Sequence, residues 1–264
     1  MFERHFGLSA TPFRKDVPAL GLFPARLHHE LLLRLNYALE QVQIVVVCGE
    51  TGTGKTTVLR ALLAQQSPAR YRFLYLPHPP RSPRELFSDL LTEIGADVPW
   101  STIDARARTR RQLLQLAEAG RTPVVICDEA QDIPAAMLEE LRLLTCFELD
   151  ARPVLALILA GHPELARHVR KKGLEALAQR VGLWFTLVGL DRDEVGRYLQ
   201  HHLELAGCQQ PLFTPDAVTA LFLATKGVPR ALGRLATRCL DQAASDRLDH
   251  VDGQLVEALA VDWE

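Results

Sequence analysis

Five short apolar runs recur along the chain: 43–48 (QIVVVC), 71–76 (YRFLYL), 123–127 (PVVIC), 154–160 (VLALILA) and 183–188 (LWFTLV). They are nearly continuous in branched and aromatic residues, which is how a strand reads when both of its faces are covered. Segments with a helical period separate them, at about 55–66, 83–95, 103–119, 134–147 and 163–178. This alternation predicts an α/β fold built on a parallel five-stranded sheet flanked by helices. After Gly189 the strands stop, and helices are expected at about 191–206, 214–226, 229–245 and 251–261. Thr214-Pro215 and Val228-Pro229 mark helix starts, and Gly207 and Gly227 mark helix ends.

The length of 264 residues, 48% of them hydrophobic, supports one large domain or a medium one with a small companion. The longest apolar run, PVLALILA (153–160), is far too short to cross a bilayer. The N-terminus, MFERHFGLSA, has charges within its first five residues, so no signal peptide is expected. The five cysteines lack C-x-x-C spacing and read as free thiols in a reducing cytoplasm. His28-His29 and His201-His202 have no partner at metal-ligand spacing. A net charge of −2 means that any nucleic-acid binding must be local, or summed over many subunits.

The first strand runs into CGETGTGKTT (48–57), which satisfies G-x-x-x-x-G-K-[ST]. In such a loop the glycines let backbone N–H groups turn onto phosphates, here along Gly49, Glu50, Thr51, Gly52, Thr53, Gly54, Lys55, Thr56 and Thr57. Lys55 neutralises the β and γ oxygens of ATP and the Thr56 hydroxyl ligates Mg²⁺. The third strand ends in Val124-Val125-Ile126-Cys127-Asp128-Glu129, which delivers Asp128 to the carboxyl edge of the sheet. There Asp128 can hold the Mg²⁺ shell, and Glu129 can orient an attacking water. A glutamate placed for water points to ATP hydrolysis rather than to a kinase. The expected organisation is an N-terminal segment and helix over 1–40, a nucleotide-binding α/β domain over 41–189 and a helical domain over 190–264.

Four groups of motifs carry a family resemblance: Phe6-Gly7-Leu8 and Pro12-Phe13 with HHELLLRLNYALEQ (28–41); GETGTGKTT (49–57); VVICDEAQD (124–132); and LAGHPEL (159–165) with LAQRV (177–181) and GVPR (227–230). In this order they resemble the AAA+ ATPases, and within them the ExeA/GspA-type proteins and the transposition ATPases of the TnsC, TniB, IstB and MuB kind. The resemblance implies a helical lid and a homo-oligomer of six or more subunits, as a ring or a helical filament. It implies that Arg180 reaches a neighbour's γ-phosphate and that Arg230 touches the nucleotide of its own chain. His162 stands where relatives usually place Gln, Thr or Asn to sense that phosphate. Phe13 and Phe23 either shelter the adenine or pack in the core.

ExeA proteins continue past the ATPase into a membrane span, whereas this sequence stops at Trp263-Glu264. That favours a soluble protein of the transposition kind, without membrane contact, that loads on double-stranded DNA and recruits a transposase or integrase. ATP hydrolysis would then release it. The alternative is an ExeA/GspA-like switch acting on protein assembly. Arg106, Arg108, Arg110 and Arg111 crowd the first half of a predicted helix, the end where the helix dipole disfavours cations, and are the candidate DNA contacts. A second cluster, Arg167 to Lys172, faces either DNA or a neighbouring subunit.

Overall fold

The computed structural model describes residues 2–14, 23–147 and 153–261. Its first half contains α1 (Phe2–His5), α2 (Arg26–Glu40), β1 (Ile44–Gly49), α3 (Lys55–Gln65), β2 (Tyr71–Leu76), α4 (Pro83–Ile94), α5 (Thr102–Glu118) and β3 (Thr122–Cys127). There follow α6 (Ala135–Leu144), β4 (Ala156–Gly161), α7 (Glu164–Val169), α8 (Glu175–Arg180) and β5 (Val181–Leu187). Four helices close the series: α9 (Arg192–Leu205), α10 (Pro215–Thr225), α11 (Pro229–Ser245) and α12 (Gly253–Ala260). Two compact units emerge. One holds Glu30–Thr51 and Lys55–Leu187, the other Met1–His29, Gly52–Gly54 and Val188–Glu264.

The first unit is the α/β one. Its strands are all parallel, in the order β2-β3-β4-β1-β5. β1 and β4 are buried at every position, as their unbroken apolar runs require, whereas the edge strands β2 and β5 leave some side chains partly exposed. Leu86, Phe87, Leu90 and Leu91 of α4 pack into the core with Leu113 of α5 and Leu138 and Leu141 of α6. α4 is bounded as its sequence dictates: Ser82 caps it by accepting from the Glu85 N–H, Pro83 opens it, and Gly95 at φ 86° ends it. The helix expected over 163–178 is two short ones. Gly173, at φ 98°, turns the chain into the left-handed region, where no helix continues.

The second unit is helical, with Val195, Leu199, Leu203, Leu221, Leu232, Leu235 and Cys239 in its core. Asp191 and Glu194 form a reciprocal capping box at the start of α9, and Thr214 caps α10 ahead of Pro215. Gly189 and Gly227 let two backbones cross: a Cβ on Gly227 would fall 1.9 Å from the Leu190 carbonyl oxygen. Phe13 stacks on Tyr198 at 6.0 Å and Phe23 meets the same ring edge-on at 5.7 Å, so both take the packing alternative. Cys48, Cys127, Cys208 and Cys239 are buried free thiols, and burial pushes Cys127 and Cys239 up to about 12. Trp263-Glu264 lies outside the described residues, among which no helix is long and apolar enough to cross a membrane.

Candidate nucleotide site

β1 delivers Gly49 to the carboxyl rim of the sheet, and α3 begins at Lys55. Lys55 is 7% exposed, and its ammonium donates to the carbonyls of Gly49 (2.7 Å) and Glu50 (3.2 Å), drawing the first half of the loop around it. Thr51 and Thr56 are exposed and Thr57 is half-buried in the first turn of α3. The Thr56 hydroxyl donates to Asp128 Oδ2 at 3.0 Å. Octahedral Mg²⁺ holds oxygens at about 2.1 Å, which puts neighbouring ligands about 3.0 Å apart, so this pair fits one edge of such a shell. The Tyr75 hydroxyl also donates to Asp128 Oδ2, at 3.3 Å, and burial with the Asp128 charge raises its phenol so that it stays a donor.

Glu129 follows Asp128 on the same rim, exposed and at φ 50°, ψ 37°, a left-handed conformation that costs a non-glycine residue on the order of 1–3 kcal/mol. Its N–H donates to Asp128 Oδ1 at 3.0 Å, and its carboxylate accepts from the Gln131 amide at 3.0 Å. The Gln131 carbonyl accepts in turn from the His162 N–H at 2.8 Å. The His162 ring lies against two carboxylates, with Nε2 2.7 Å from Glu50 Oε2 and Nδ1 3.2 Å from Glu164 Oε2. His162 thus touches Glu50 directly and is joined to Glu129 through Gln131. Gln131 lies within VVICDEAQD, where its signal is an amide, donor and acceptor at once, two residues past the acid.

The tip of the loop, Gly52–Gly54, belongs to the helical unit. The Arg230 N–H, in the first turn of α11, donates to the Gly52 carbonyl at 3.2 Å, and a Cβ on Gly52 would fall 2.6 Å from Arg230 Cβ. His28 Nε2 is 2.7 Å from the Thr53 carbonyl and burial lowers its pKa, so the neutral ring donates there. In the same unit Arg26, Leu27, Leu190, Asp191, Phe222 and Lys226 help to line a cavity of about 310 Å³.

Arg180 ends α8 immediately before β5, beside Glu139 of α6. Val181 pairs with Ile44 at the start of β1, while Leu187 pairs with Gly49. Five residues of strand at about 3.3 Å each place Arg180 roughly 16 Å from the loop of its own chain. The four arginines of α5 are not equivalent. Arg106 pairs with Glu140 and lies over the Phe87 ring, and Arg110 donates to the Leu143 and Cys146 carbonyls at 2.9 Å each. Arg108 pairs with exposed Asp97 at 3.2 Å, and Arg111 is exposed. In the second cluster Arg167 pairs with Glu164, Arg170 covers the Trp184 ring, and Lys171 and Lys172 are exposed.

Residues 39–169 match the family model described as an AAA domain. The chain carries an AAA domain. The general secretion pathway protein A of Aeromonas hydrophila is 36% identical to this AAA chain over 261 residues, covering 96% of the chain and 47% of that protein. The chain thus spans about half the length of that relative. Among solved structures, Cdc6p from Pyrobaculum aerophilum superposes with a TM-score of 0.69 at 17% identity, covering 90% of this chain and 67% of its own. The Aeropyrum pernix ORC1 protein in complex with DNA gives 0.64 at 17%, with 93% and 68% covered. The Thermotoga maritima RuvB Holliday junction branch migration motor gives 0.57 at 17%, with 88% and 67% covered. At that identity the structures share the fold: a parallel five-stranded AAA sheet flanked by helices, with a C-terminal helical region. The family match and the secretion pathway relative agree on an AAA domain similar to that of GspA.

Proposed function

We propose that the chain binds ATP with Mg²⁺ at the loop 49–57, hydrolyses it, and uses the cycle as a switch in the assembly of a protein complex. The contact that carries the catalytic part is the Thr56–Asp128 pair at 3.0 Å, with Glu129 next to it on the same rim. Thr56 and Asp128 would hold Mg²⁺, which would supply charge to offset that of the phosphates. Glu129 orients a water on the terminal phosphorus. The water oxygen bonds to that phosphorus as its bond to the bridging oxygen breaks, giving ADP, phosphate and a proton released to solvent, while Lys55 steadies the charge gathering on the leaving oxygens. Arg230, whose N–H meets the Gly52 carbonyl at the tip of the loop, is the sensor arginine that the family resemblance assigns. Glu129→Gln should keep the affinity for a fluorescent ATP analogue and slow phosphate release by at least ~10²-fold, whereas Lys55→Ala should lose the analogue itself. Near-normal turnover of the Glu129 variant would move the water-orienting acid elsewhere.

The protein-assembly reading leans on the 36% identity with the secretion pathway protein, and on the commitment of Arg106 and Arg110 within the α/β unit. A second reading keeps the assembly on double-stranded DNA beside a transposase or integrase, as for the transposition ATPases. It is favoured by the exposed cations Arg111, Lys171 and Lys172, and by a fold shared with an ORC1 protein in complex with DNA. ATP-dependent retention on duplex DNA without added protein, with affinity falling steeply as salt rises, separates the two.

A further inference from the structure

We infer that Gln131 is a positioning residue that ties the water-orienting carboxylate of Glu129 to the end of β4. The inference rests on the hydrolytic reading above. Gln131 lies in the short 3-10 turn Ala130–Asp132 that follows β3, and its amide reaches across to the next strand. The side-chain N–H group donates to Glu129 Oε2 at 3.0 Å and to Asp132 Oδ2 at 3.1 Å, while the carbonyl accepts from the His162 N–H at 2.8 Å. The partners fix which way round the amide sits. A carboxylate can only accept and a backbone N–H can only donate, so neither end can exchange places. Among the natural side chains of this length only glutamine presents a neutral donor and an acceptor together.

The far side of the amide is equally specific. Gly161, the last residue of β4, has no side chain, and a Cβ there would fall 2.5 Å from Gln131 Oε1 and 3.1 Å from the Gln131 N. Gln131 thus sits over the bare end of β4, and the strand register holds it there, because β3 and β4 are paired from Val124↔Ala156 to Cys127↔Leu159. Glu129 needs such a tether. It is exposed, its backbone is in a left-handed conformation, and its side chain would otherwise sample several rotamers. Because His162 also meets Glu50 of the phosphate loop, the same amide links the carboxylate to that loop.

The test is a set of three variants in one steady-state ATPase assay with parallel titration of a fluorescent ATP analogue. Gln131→Met keeps the volume and removes all three side-chain hydrogen bonds; kcat should fall about 10–100-fold, the scale of a misplaced group, with Kd for the analogue within twofold of the unchanged chain. Gln131→Glu sets a carboxylate against Glu129 and should fall further. Gly161→Ala pushes the amide away from the opposite side and should reproduce the kcat loss with Gln131 intact, which covers the case of a Gln131 variant that folds badly. A kcat within twofold of the unchanged chain for Gln131→Met or Gly161→Ala, or a loss matched by weakened Kd, overturns the inference and leaves the hydrolytic reading standing. No turnover by the unchanged chain overturns both.

Discussion

At the scale of single residues, several side chains are held in states that water would not favour. His202 is one: it is 7% exposed, packed 4.4 Å from the Tyr198 ring and 5.3 Å from that of Phe13, and burial together with His201 lowers its pKa to about 4. The neutral form is the folded form. As pH falls below the ordinary histidine value of about 6.5, the unfolded chain binds a proton that the folded chain refuses, so stability is lost from there down to about pH 4. The full loss is about 3 kcal/mol, and His28, lowered in the same direction by burial, adds to it. Chemical denaturation followed at pH 7.5 and pH 5 should show this fall, and His202→Phe should flatten it. An unchanged pH dependence in that variant would mean that other groups carry the acid sensitivity.

At the scale of elements, α5 and α6 are joined by charge as well as by apolar packing. Arg110 donates to the Leu143 and Cys146 carbonyls, and thereby caps the C-terminus of α6 with a cation where the helix dipole favours one. Arg110→Met should cost about 1–2 kcal/mol and lower Tm by roughly 3–6 °C, with nucleotide affinity unchanged. A stability equal to that of the unchanged chain would leave the arginine a solvated one. Sequence spacing shows which arginines share a face of α5; it cannot show that unsatisfied carbonyls of another helix wait opposite. The same limit explains what was legible elsewhere. The five strands were readable because burial on two faces writes itself as an unbroken apolar run, and Asp128 and Glu129 because such a run ends in them. The apolar period over 163–178 was also real, since Leu165, Val169, Leu174 and Leu177 are all buried. A period records faces, though, and not the left-handed turn at Gly173 that separates α7 from α8. Gln131 and His162 are 31 residues apart, and only the pairing of β3 with β4 makes them partners.

At the scale of the whole molecule, we propose an oligomer in which Arg180 acts on a neighbour's ATP, as the family resemblance implies. Roughly 16 Å of strand between Arg180 and its own phosphate loop supports that reading. Arginines supplied in this way are worth about 10³–10⁵ in rate. Arg180→Ala and Glu129→Gln should each be nearly inactive alone. Mixed under conditions where subunits exchange, they should recover part of the turnover, because some junctions pair an intact arginine with an intact acid. A mixture as inactive as its parents would end the in-trans role.

That separation of donor and cradle also bears on how such an oligomer would grow. In a ring or filament of the kind the resemblance implies, one face would give and a different face receive, and the junction would repeat head to tail until it closed on itself. An open stack then always carries one terminal cradle that no arginine serves and one terminal arginine with nothing to act on. Short stacks waste a large fraction of their subunits and long ones very little. Turnover per chain would therefore report stack length, rising with protein concentration and levelling off once the ends become few.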